Sequence, residues 1–567
     1  MGFYFSNEQL RSFLSELDAA SLMDHVRAIA QWERFSGSED EARAFDYIEE
    51  VLKGRSCLRI ERYEVPAYIS IPIDGKVIVK EKILNARPPS MSSPTPPEGI
   101  HGNVVYIPGD LSSHNNTQGR IVMTVGMPTP LKAIAIRDCG ALGGIFIDDS
   151  ELIREGTISP VWGSPDDLNF GMIPDVPIVT LNSSDGKWLR EELSKGDSKV
   201  AMVSHMDTGW RKIPLLVAEI HGKSDKFVLF SGHVDSWYYG AMDNASANAV
   251  MIEVAKLFSN HPDFLTRGLR IAFWSGHSHG RYAGSAWYAD NFYHELTSCC
   301  VCHVNIDSVG AIGATVLAEA HVMPELKSLA AWAIREVSGQ EFHGTRFARA
   351  GDQSFWGHGI PSIFMTLSEQ EPGNSKDGVV SELIGGSSRT GGLGWWWHTP
   401  QDTVDKIDPE NLLRDARIYA WCIAELLGNP LLPLDFRLTV EELKEGLLHW
   451  EKVIHGDFDL GAVRSRLENL STTLTTFYEN IGHMAPEKAN SILFKLSKLL
   501  VPANYVSESI FENDPALPQP MLPALVALSD VASKSGEERE LVLVRARRGL
   551  NKLVYTLDVA IEALKEL

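Results

Sequence analysis

Histidines and carboxylates follow three apolar segments in the middle of this 567-residue sequence. The segments end in Gly232-His233-Val234-Asp235-Ser236, in Trp274-Ser275-Gly276-His277-Ser278-His279-Gly280 and in Val304-Asn305-Ile306-Asp307-Ser308. Polar side chains at the ends of neighbouring strands of an α/β sheet are expected to lie close together. Imidazole and carboxylate groups are ligands that zinc takes in proteins. The pattern therefore predicts a metal site on an α/β sheet.

His233 and Asp235 form a His-x-Asp pair at the end of the first segment. Alternate residues of a strand point to the same face, so the two side chains are expected side by side. One of them can bind a metal while the other fixes the imidazole. A single pair of this kind is also common at strand ends for structural reasons, so its interpretation depends on the motifs around it.

Three further motifs complete a pattern with the Gly-His-Val-Asp-Ser segment. They are Gly240-Ala241-Met242-Asp243-Asn244-Ala245-Ser246, Asn305-Ile306-Asp307-Ser308 and Trp397-His398-Thr399-Pro400-Gln401-Asp402-Thr403. In this order and at this spacing, the motifs resemble those of the M28 metallopeptidases, a family of co-catalytic zinc exopeptidases. The resemblance implies a metal-dependent hydrolase.

The resemblance also implies a role for each matching residue. His233 and Asp307 resemble the ligands of one metal, and Asp235 resembles the residue that orients His233. Asp243 resembles the carboxylate that bridges two metals, and His398 resembles a ligand of the second. The implied cofactor is one or two zinc ions, and these ligand types also suit Mn²⁺ or Co²⁺.

The segment after Trp274 departs from the family, which carries a Glu-Glu pair there: a general base followed by a ligand of the second metal. Counting forward from Trp274 places His277 and Ser278 at these positions. Counting back from Gly284-Ser285 places Ser278 and His279 there. The segment is one residue longer than the family's, so both alignments stay open.

Three interpretations of this departure follow. In the first, one of His277 and His279 replaces the lost ligand, with His279 as the candidate, and the other carries a proton; Ser278 is a further candidate for the chemistry. Imidazole binds zinc well and titrates near neutral pH, which suits both roles. In the second, one metal remains and the chemistry is specialised, such as elimination; its ligands would be His233, Asp243 and Asp307. In the third, the protein is a non-catalytic receptor or scaffold, as the transferrin receptor is.

A different class of enzyme is also considered, because Gly276-His277-Ser278-His279-Gly280 matches the nucleophile elbow G-x-S-x-G. A serine hydrolase would need an acid and a histidine later in the chain. That interpretation leaves the four metal motifs unexplained.

Four residues near these motifs are candidates for binding substrate. Arg281 and Tyr282 follow the histidines and suit a substrate carboxylate or an oxyanion. Arg349 lies where the family has a substrate-facing loop. Trp397 ends a run of three tryptophans just before His398, which predicts an aromatic wall for the pocket.

The patterns of helix and strand divide the chain into four parts. Residues 1–64 predict helices, 65–204 short strands in a β-rich module, 205–430 alternating strands and helices, and 431–567 amphipathic helices. This order resembles the glutamate carboxypeptidase II and transferrin receptor branch of the family. The resemblance implies N-terminal helices that belong to the core, an inserted protease-associated domain, an M28-like core and a helical dimerisation domain. The expected fold is a mainly parallel, mixed α/β sheet between helices.

The net charge and the distribution of apolar residues limit the kinds of partner that this protein can bind. A net charge of −22 argues against nucleic acid and anionic membranes, because their phosphates would be repelled. The N-terminus lacks a secretory signal pattern, and no apolar run approaches the roughly 18 residues that cross a bilayer. We therefore predict a cytoplasmic protein, and the resemblance to this branch of the family implies a homodimer that acts on a small molecule or a short peptide.

The leading prediction for function is a metal-dependent hydrolase of an amide, peptide or related C–N bond in a small substrate. A water activated by the metal would attack, and His277 or His279 would move the proton in place of the usual Glu base.

Overall fold

The computed structural model describes residues 3–55, 57–111, 116–196, 199–372, 389–454, 456, 458–531 and 533–565. Within these residues the strands are β1 Leu58–Val79, β2 Lys82–Ala86, β3 Ile100–Tyr106, β4 Ile121–Val125, β5 Gly143–Ile147, β6 Ile178–Leu181, β7 Lys199–Ile220, β8 Phe227–His233, β9 Gly268–Trp274, β10 Cys300–Asn305, β11 Ala314–Val316, β12 Ser362–Ile363 and β13 Glu369–Gln370. The α-helices are α1 Asn7–Leu14, α2 Ala19–Ile29, α3 Glu39–Leu52, α4 Pro130–Asp138, α5 Ser183–Leu193, α6 Ala247–Asn260, α7 Ala283–Asn291, α8 Tyr293–Cys299, α9 Lys327–Ser338, α10 Pro409–Gly428, α11 Phe436–Ile454, α12 Gly461–Asn480, α13 Pro486–Tyr505, α14 Leu528–Val531 and α15 Gly536–Lys565.

One mixed sheet runs through the molecule in the order β12-β10-β8-β9-β7-β3-β4-β5-β6, with β1 and β2 paired alongside β7. The neighbours from β12 to β9 are parallel, and so are those from β3 to β6. Every residue of β8, β9 and β10 is buried, as expected for parallel strands covered on both faces. The predicted mainly parallel, mixed α/β fold is confirmed.

Two long strands, β1 and β7, join the halves of this sheet. They pair in antiparallel register from Leu58 opposite Ile220 to Ile78 opposite Ala201. One end of β7 pairs with β9 and the other end pairs with β3. The predicted domain boundaries at 64/65 and 204/205 therefore fall inside continuous strands, and the division into four domains stays a prediction.

Helices cover the sheet and fill the C-terminal region. Helices α2, α6 and α10 pack together over β8, and all but two residues of α6 are buried. Helices α11, α12, α13 and α15 pack against one another, in the part of the chain where the sequence predicts amphipathic helices. No helix among the described residues combines the length and the apolar character needed to cross a bilayer.

Two local features shape the end of the sheet that carries His233 and Asp307. Residues 361–367 pair as a strand only at β12, because Phe364 has a φ of +62° and turns the backbone. Helix α6 begins at Ala247 and is preceded by an irregular turn, Ala241–Ser246. Asp243 leaves the helical region there, with φ −112° and ψ 81°.

Candidate metal centre

His233 is the last residue of β8 and is completely buried. Its Nδ1 lies 2.7 Å from the backbone oxygen of Asp235, so the Nδ1–H donates to that carbonyl. Its Nε2 then faces two carboxylates, at 3.1 Å from Asp243 Oδ1 and 3.5 Å from Asp307 Oδ2. A ring fixed by a hydrogen bond at one nitrogen and free at the other is the usual form of a metal-binding histidine.

Asp243 lies between two imidazoles. Its Oδ1 faces His233, and its Oδ2 lies 2.9 Å from Nε2 of His398. The irregular turn that carries Asp243 is held by Asp402, whose carboxylate accepts the backbone N–H groups of Met242 and Asp243 at 2.9 and 3.0 Å. Burial raises the pKa of Asp243, but the two neighbouring imidazoles outweigh this effect and hold the pKa well below its usual range. The carboxylate is therefore ionised.

His398 is oriented by the chain segment before β6 rather than by a neighbour in sequence. Its Nδ1 lies 2.8 Å from the backbone oxygen of Glu155, which leaves Nε2 for Asp243. Glu155 is buried, and its carboxylate accepts hydrogen bonds from Arg87 and from the hydroxyl of Tyr238. Nothing in the sequence links Glu155 to His398, since more than 240 residues separate them.

His277 stands beside His233. Its ring stacks on the ring of His233, with centroids 3.7 Å apart and planes inclined by 13°. Its Nδ1 lies 2.9 Å from Oδ2 of Asp352, and the other oxygen of Asp352 accepts from Ser285 at 2.7 Å. Burial raises the pKa of Asp352, while the neighbouring His277 and the hydrogen bonds lower it below its usual value. Asp352 thus fixes Nδ1 of His277 as a donor and leaves Nε2 available.

Asp235 holds the segment that carries the histidines. Its carboxylate accepts the backbone N–H groups of His277 and Ser278 at 3.2 and 2.8 Å and the hydroxyl of Ser36 at 2.8 Å. The predicted orientation of His233 by Asp235 is made through the backbone oxygen, while the carboxylate lies 3.8 Å from His233 Nδ1. Ser36 lies about 200 positions from Asp235, and no motif in the sequence points to it.

His279 is not among the donor residues that come together around His233 in the described part of the chain. Its ring is completely buried against Phe35 and Trp237, and its Nδ1 is 3.0 Å from the hydroxyl of Ser36. Burial, helped by the charge of Arg87, lowers the pKa of His279 to about 3, so the ring is neutral at neutral pH. Its position favours a packing role more than a role in moving protons.

Residues 216–422 match the sequence profile described as Peptidase family M28. These residues form an M28 domain. They contain the strands β8, β9 and β10 and the ligand candidates at their ends. The M28 resemblance of the four motifs is thereby confirmed.

Similar proteins share this domain at low identity. A probable glutamate carboxypeptidase of Zea mays, VP8, is 25% identical over 266 residues, which cover 45% of this chain and 36% of VP8. A probable lipoprotein aminopeptidase of Mycobacterium tuberculosis, LpqL, is 24% identical over 319 residues, 54% of this chain and 59% of LpqL. The structure of BSAP, a zinc aminopeptidase from Bacillus subtilis, superposes with a TM-score of 0.55 at 18% identity, over 76% of this chain and 97% of BSAP.

These matches establish the fold, and they do not establish the activity of this chain. The chain spans only about one third to three fifths of the two curated relatives. The likeness to BSAP, at this identity, shows the M28 fold alone.

The donor set of the M28 domain fits a divalent metal. Nε2 of His233 and Oδ1 of Asp243 are buried polar atoms without a hydrogen-bond partner. Such atoms are costly unless something binds them, and an ion between imidazole and carboxylate would do so. Within the described part of the chain, the donors of His233, His277 and Asp307 come within 4.8 Å of one another.

A cavity of about 410 Å³ opens onto this centre. Its lining includes Asp243, Asp307, His398, His277 and Ser278, together with the four predicted substrate-binding residues, Arg281, Tyr282, Arg349 and Trp397. This volume suits a small molecule or a short peptide.

Of the four predicted substrate-binding residues, the two arginines differ in how many of their hydrogen-bond donors already have partners within the protein. Arg349 is buried between Trp162 and Trp356 and donates to the backbone oxygens of Gln353 and Asp514. Arg281, in contrast, donates only one hydrogen bond among the described residues, 3.3 Å long, to the backbone oxygen of Ala516. Its guanidinium is therefore the better placed of the two to meet an anionic group.

The aromatic wall is smaller than the tryptophan run suggests. Trp397 stacks on His398 with centroids 3.3 Å apart and lines the cavity together with Trp237. Trp396 is buried in the core, and Trp395 is exposed. Tyr282 is buried against Trp162 and meets His277 edge to face.

Proposed function

We propose that this protein is a metal-dependent hydrolase of a peptide or related amide bond in a small substrate. The observation that carries the proposal is the convergence on one cavity of an imidazole–carboxylate ligand group and a second imidazole with its own carboxylate partner. The ligand group is His233, Asp243 and Asp307, and the pair beside it is His277 with Asp352.

A divalent metal such as zinc, held by the three ligands, would supply a Lewis acid that polarises a carbonyl and lowers the pKa of a water. The residues around it determine how a substrate is placed and how protons move.

His277 is proposed as the proton carrier. Its Nδ1–H is committed to Asp352, so Nε2 accepts a proton from the attacking water. The same nitrogen then returns the proton to the nitrogen that leaves, which keeps the proton count balanced. The stack on His233 and the contact with Tyr282 hold the ring in place.

Arg281 is proposed to bind an anionic group of the substrate. Nε of Arg281 is buried without a hydrogen-bond partner, and among the described residues the one hydrogen bond from its guanidinium goes to the backbone oxygen of Ala516. A cationic side chain with spare donors that faces a partly apolar cavity is suited to a carboxylate. A substrate with a free carboxylate, such as a short peptide or an N-acylated amino acid, fits this arrangement.

The experiment is a screen of short peptides and N-acylated amino acids, with products identified by mass spectrometry. The enzyme loaded with zinc should add one water across the cleaved bond, and chelation should abolish turnover. His277→Ala should lower kcat by about 100-fold or more. Failure of the zinc-loaded protein to cleave any compound would contradict the proposal, and products without added water would indicate elimination instead.

The protein is also proposed to form a homodimer through its C-terminal helices. The outer face of α15 exposes Leu541, Val544 and Tyr555 at helical spacing. Light scattering after gel filtration should give twice the chain mass, and charged substitutions at Leu541 and Val544 should shift the protein to monomer. A wild-type monomer at micromolar concentration would contradict the proposal.

A further inference from the structure

We infer that this protein holds one divalent metal per chain, bound by His233, Asp243 and Asp307, and that the His398 side of Asp243 holds none. The inference rests on the proposed function, because it describes the metal that the proposed hydrolase uses. It follows from the number and the orientation of the donors on each side of Asp243.

The His233 side provides a complete ligand set. Nε2 of His233 lies within 3.1 Å of Asp243 Oδ1 and 3.5 Å of Asp307 Oδ2. The backbone oxygen of Asp235 fixes the tautomer that leaves Nε2 unprotonated when a metal binds. Three protein ligands with one open position are the usual composition of a catalytic zinc site.

His277 comes close to this set without joining it. A metal binds imidazole in the plane of the ring, on the nitrogen lone pair, at about 2.0–2.1 Å for zinc. The rings of His277 and His233 are stacked nearly parallel at 3.7 Å. An ion at that distance from both nitrogens would lie well outside at least one ring plane, so the two histidines do not share an ion in this arrangement.

The His398 side provides two donors. Asp243 Oδ2 and His398 Nε2 are 2.9 Å apart. Among the described residues, Asp243 is the one carboxylate within ion-pair distance of His398, whereas Nε2 of His233 has two. Two protein ligands are one fewer than catalytic zinc sites have.

The segment that follows β9 does not supply the missing ligand. Ser278 offers a neutral hydroxyl, and its backbone N–H is held by Asp235. His279 is fixed by Phe35, Trp237 and Ser36, and it is not among the residues that line the cavity together with Asp243 and His398. His398 is then a positioning residue: Glu155 fixes its ring, and its Nε2 lies 2.9 Å from the outer oxygen of Asp243.

The test is the metal content of the full-length protein. Apoprotein is titrated with Zn²⁺ by calorimetry, and bound zinc is measured by mass spectrometry after dialysis. The double variant His233→Ala/Asp307→Ala gives the background of ions bound elsewhere, and circular dichroism checks that each variant is folded.

The wild type should bind one Zn²⁺ above background. His398→Ala should also bind one, with affinity about tenfold weaker because Asp243 loses the imidazole that holds its outer oxygen in place. Asp307→Ala should lose the ion. Two ions in the wild type and one in His398→Ala would overturn this inference and leave the proposed hydrolase intact. No ion above background would overturn both.

Discussion

The backbone oxygen of Glu155 accepts a hydrogen bond from Nδ1 of His398, at 2.8 Å. Glu155 lies outside residues 216–422, in the loop between β5 and β6, whereas His398 lies within them, beside Asp243. The orientation of one candidate ligand therefore depends on a segment of the β-rich region. The position of that segment depends in turn on how the buried carboxylate of Glu155 is neutralised.

Removing the ion-pair partner of Glu155 should destabilise the segment that holds His398. Arg87 pairs with the Glu155 carboxylate, which is only 1% exposed. Arg87→Met leaves that carboxylate with the hydroxyl of Tyr238 alone, and it should lower the free energy of unfolding by about 2–3 kcal/mol. Chemical denaturation measures the loss. Arg59→Met is the matched control, since Arg59 and Glu61 form an exposed pair, and it should cost less than about 1 kcal/mol. Equal losses in the two variants would contradict this account.

Asp352→Asn should separate the orientation of His277 from metal binding. The carboxylate accepts from both His277 and Ser285. An amide that turns its NH₂ group toward His277 would place the ring proton on Nε2, where it blocks proton uptake. We expect kcat to fall about 100-fold, with one zinc still bound. Nuclear magnetic resonance of the labelled imidazole reports the tautomer. If kcat stays within about twofold of wild type while His277→Ala is inactive, Asp352 does not position the base.

The sequence identifies the ligand candidates because each one follows a strand or a turn whose pattern is local. His233 and Asp307 follow buried apolar strands, and Asp243 and His398 lie in short motifs with fixed spacing. The mainly parallel sheet is predictable for the same reason, since β8, β9 and β10 are apolar throughout their length.

The partners of these residues are not predictable in this way. Ser36, Glu155 and Asp352 act on His279, His398 and His277 across 75 to 243 positions. Strand β12 is short because the backbone of Phe364 is left-handed and ends it. Phenylalanine rarely adopts this conformation, so the sequence does not predict it. The relative roles of His277 and His279 follow from these long-range contacts, which explains why their order along the chain left the alignment open.

The two arginines at the cavity should respond differently to substitution. Arg281→Gln removes a cation with spare donors and should raise KM about tenfold or more for substrates with a carboxylate, with little change in stability. Arg349→Lys loses the planar contacts with Trp162 and Trp356 and some of the bonds to backbone oxygens. It should lower the free energy of unfolding by about 1–3 kcal/mol. Steady-state kinetics and denaturation on both variants test this division. It is wrong if Arg349→Lys changes KM without affecting stability.

Glu325, a buried residue of the turn before α9, should make stability depend on pH. Burial raises the pKa of Glu325 to about 7, against an ordinary value of 4.5, although Thr439 donates to its Oε2 at 2.8 Å. The folded protein thus binds a proton that the unfolded chain has released between these pH values. The free energy of unfolding should therefore fall as the pH rises from about 4.5 through 7 and stay lower above it.

Glu325→Gln remains neutral and keeps an acceptor for Thr439, so it should be more stable than wild type at pH 8, by up to about 3 kcal/mol, and little different at pH 4.5. Denaturation at both pH values measures this, with Glu441→Gln on the exposed face of α11 as the control of equal charge. A stability difference that does not change with pH would show that folding leaves the pKa of Glu325 unchanged.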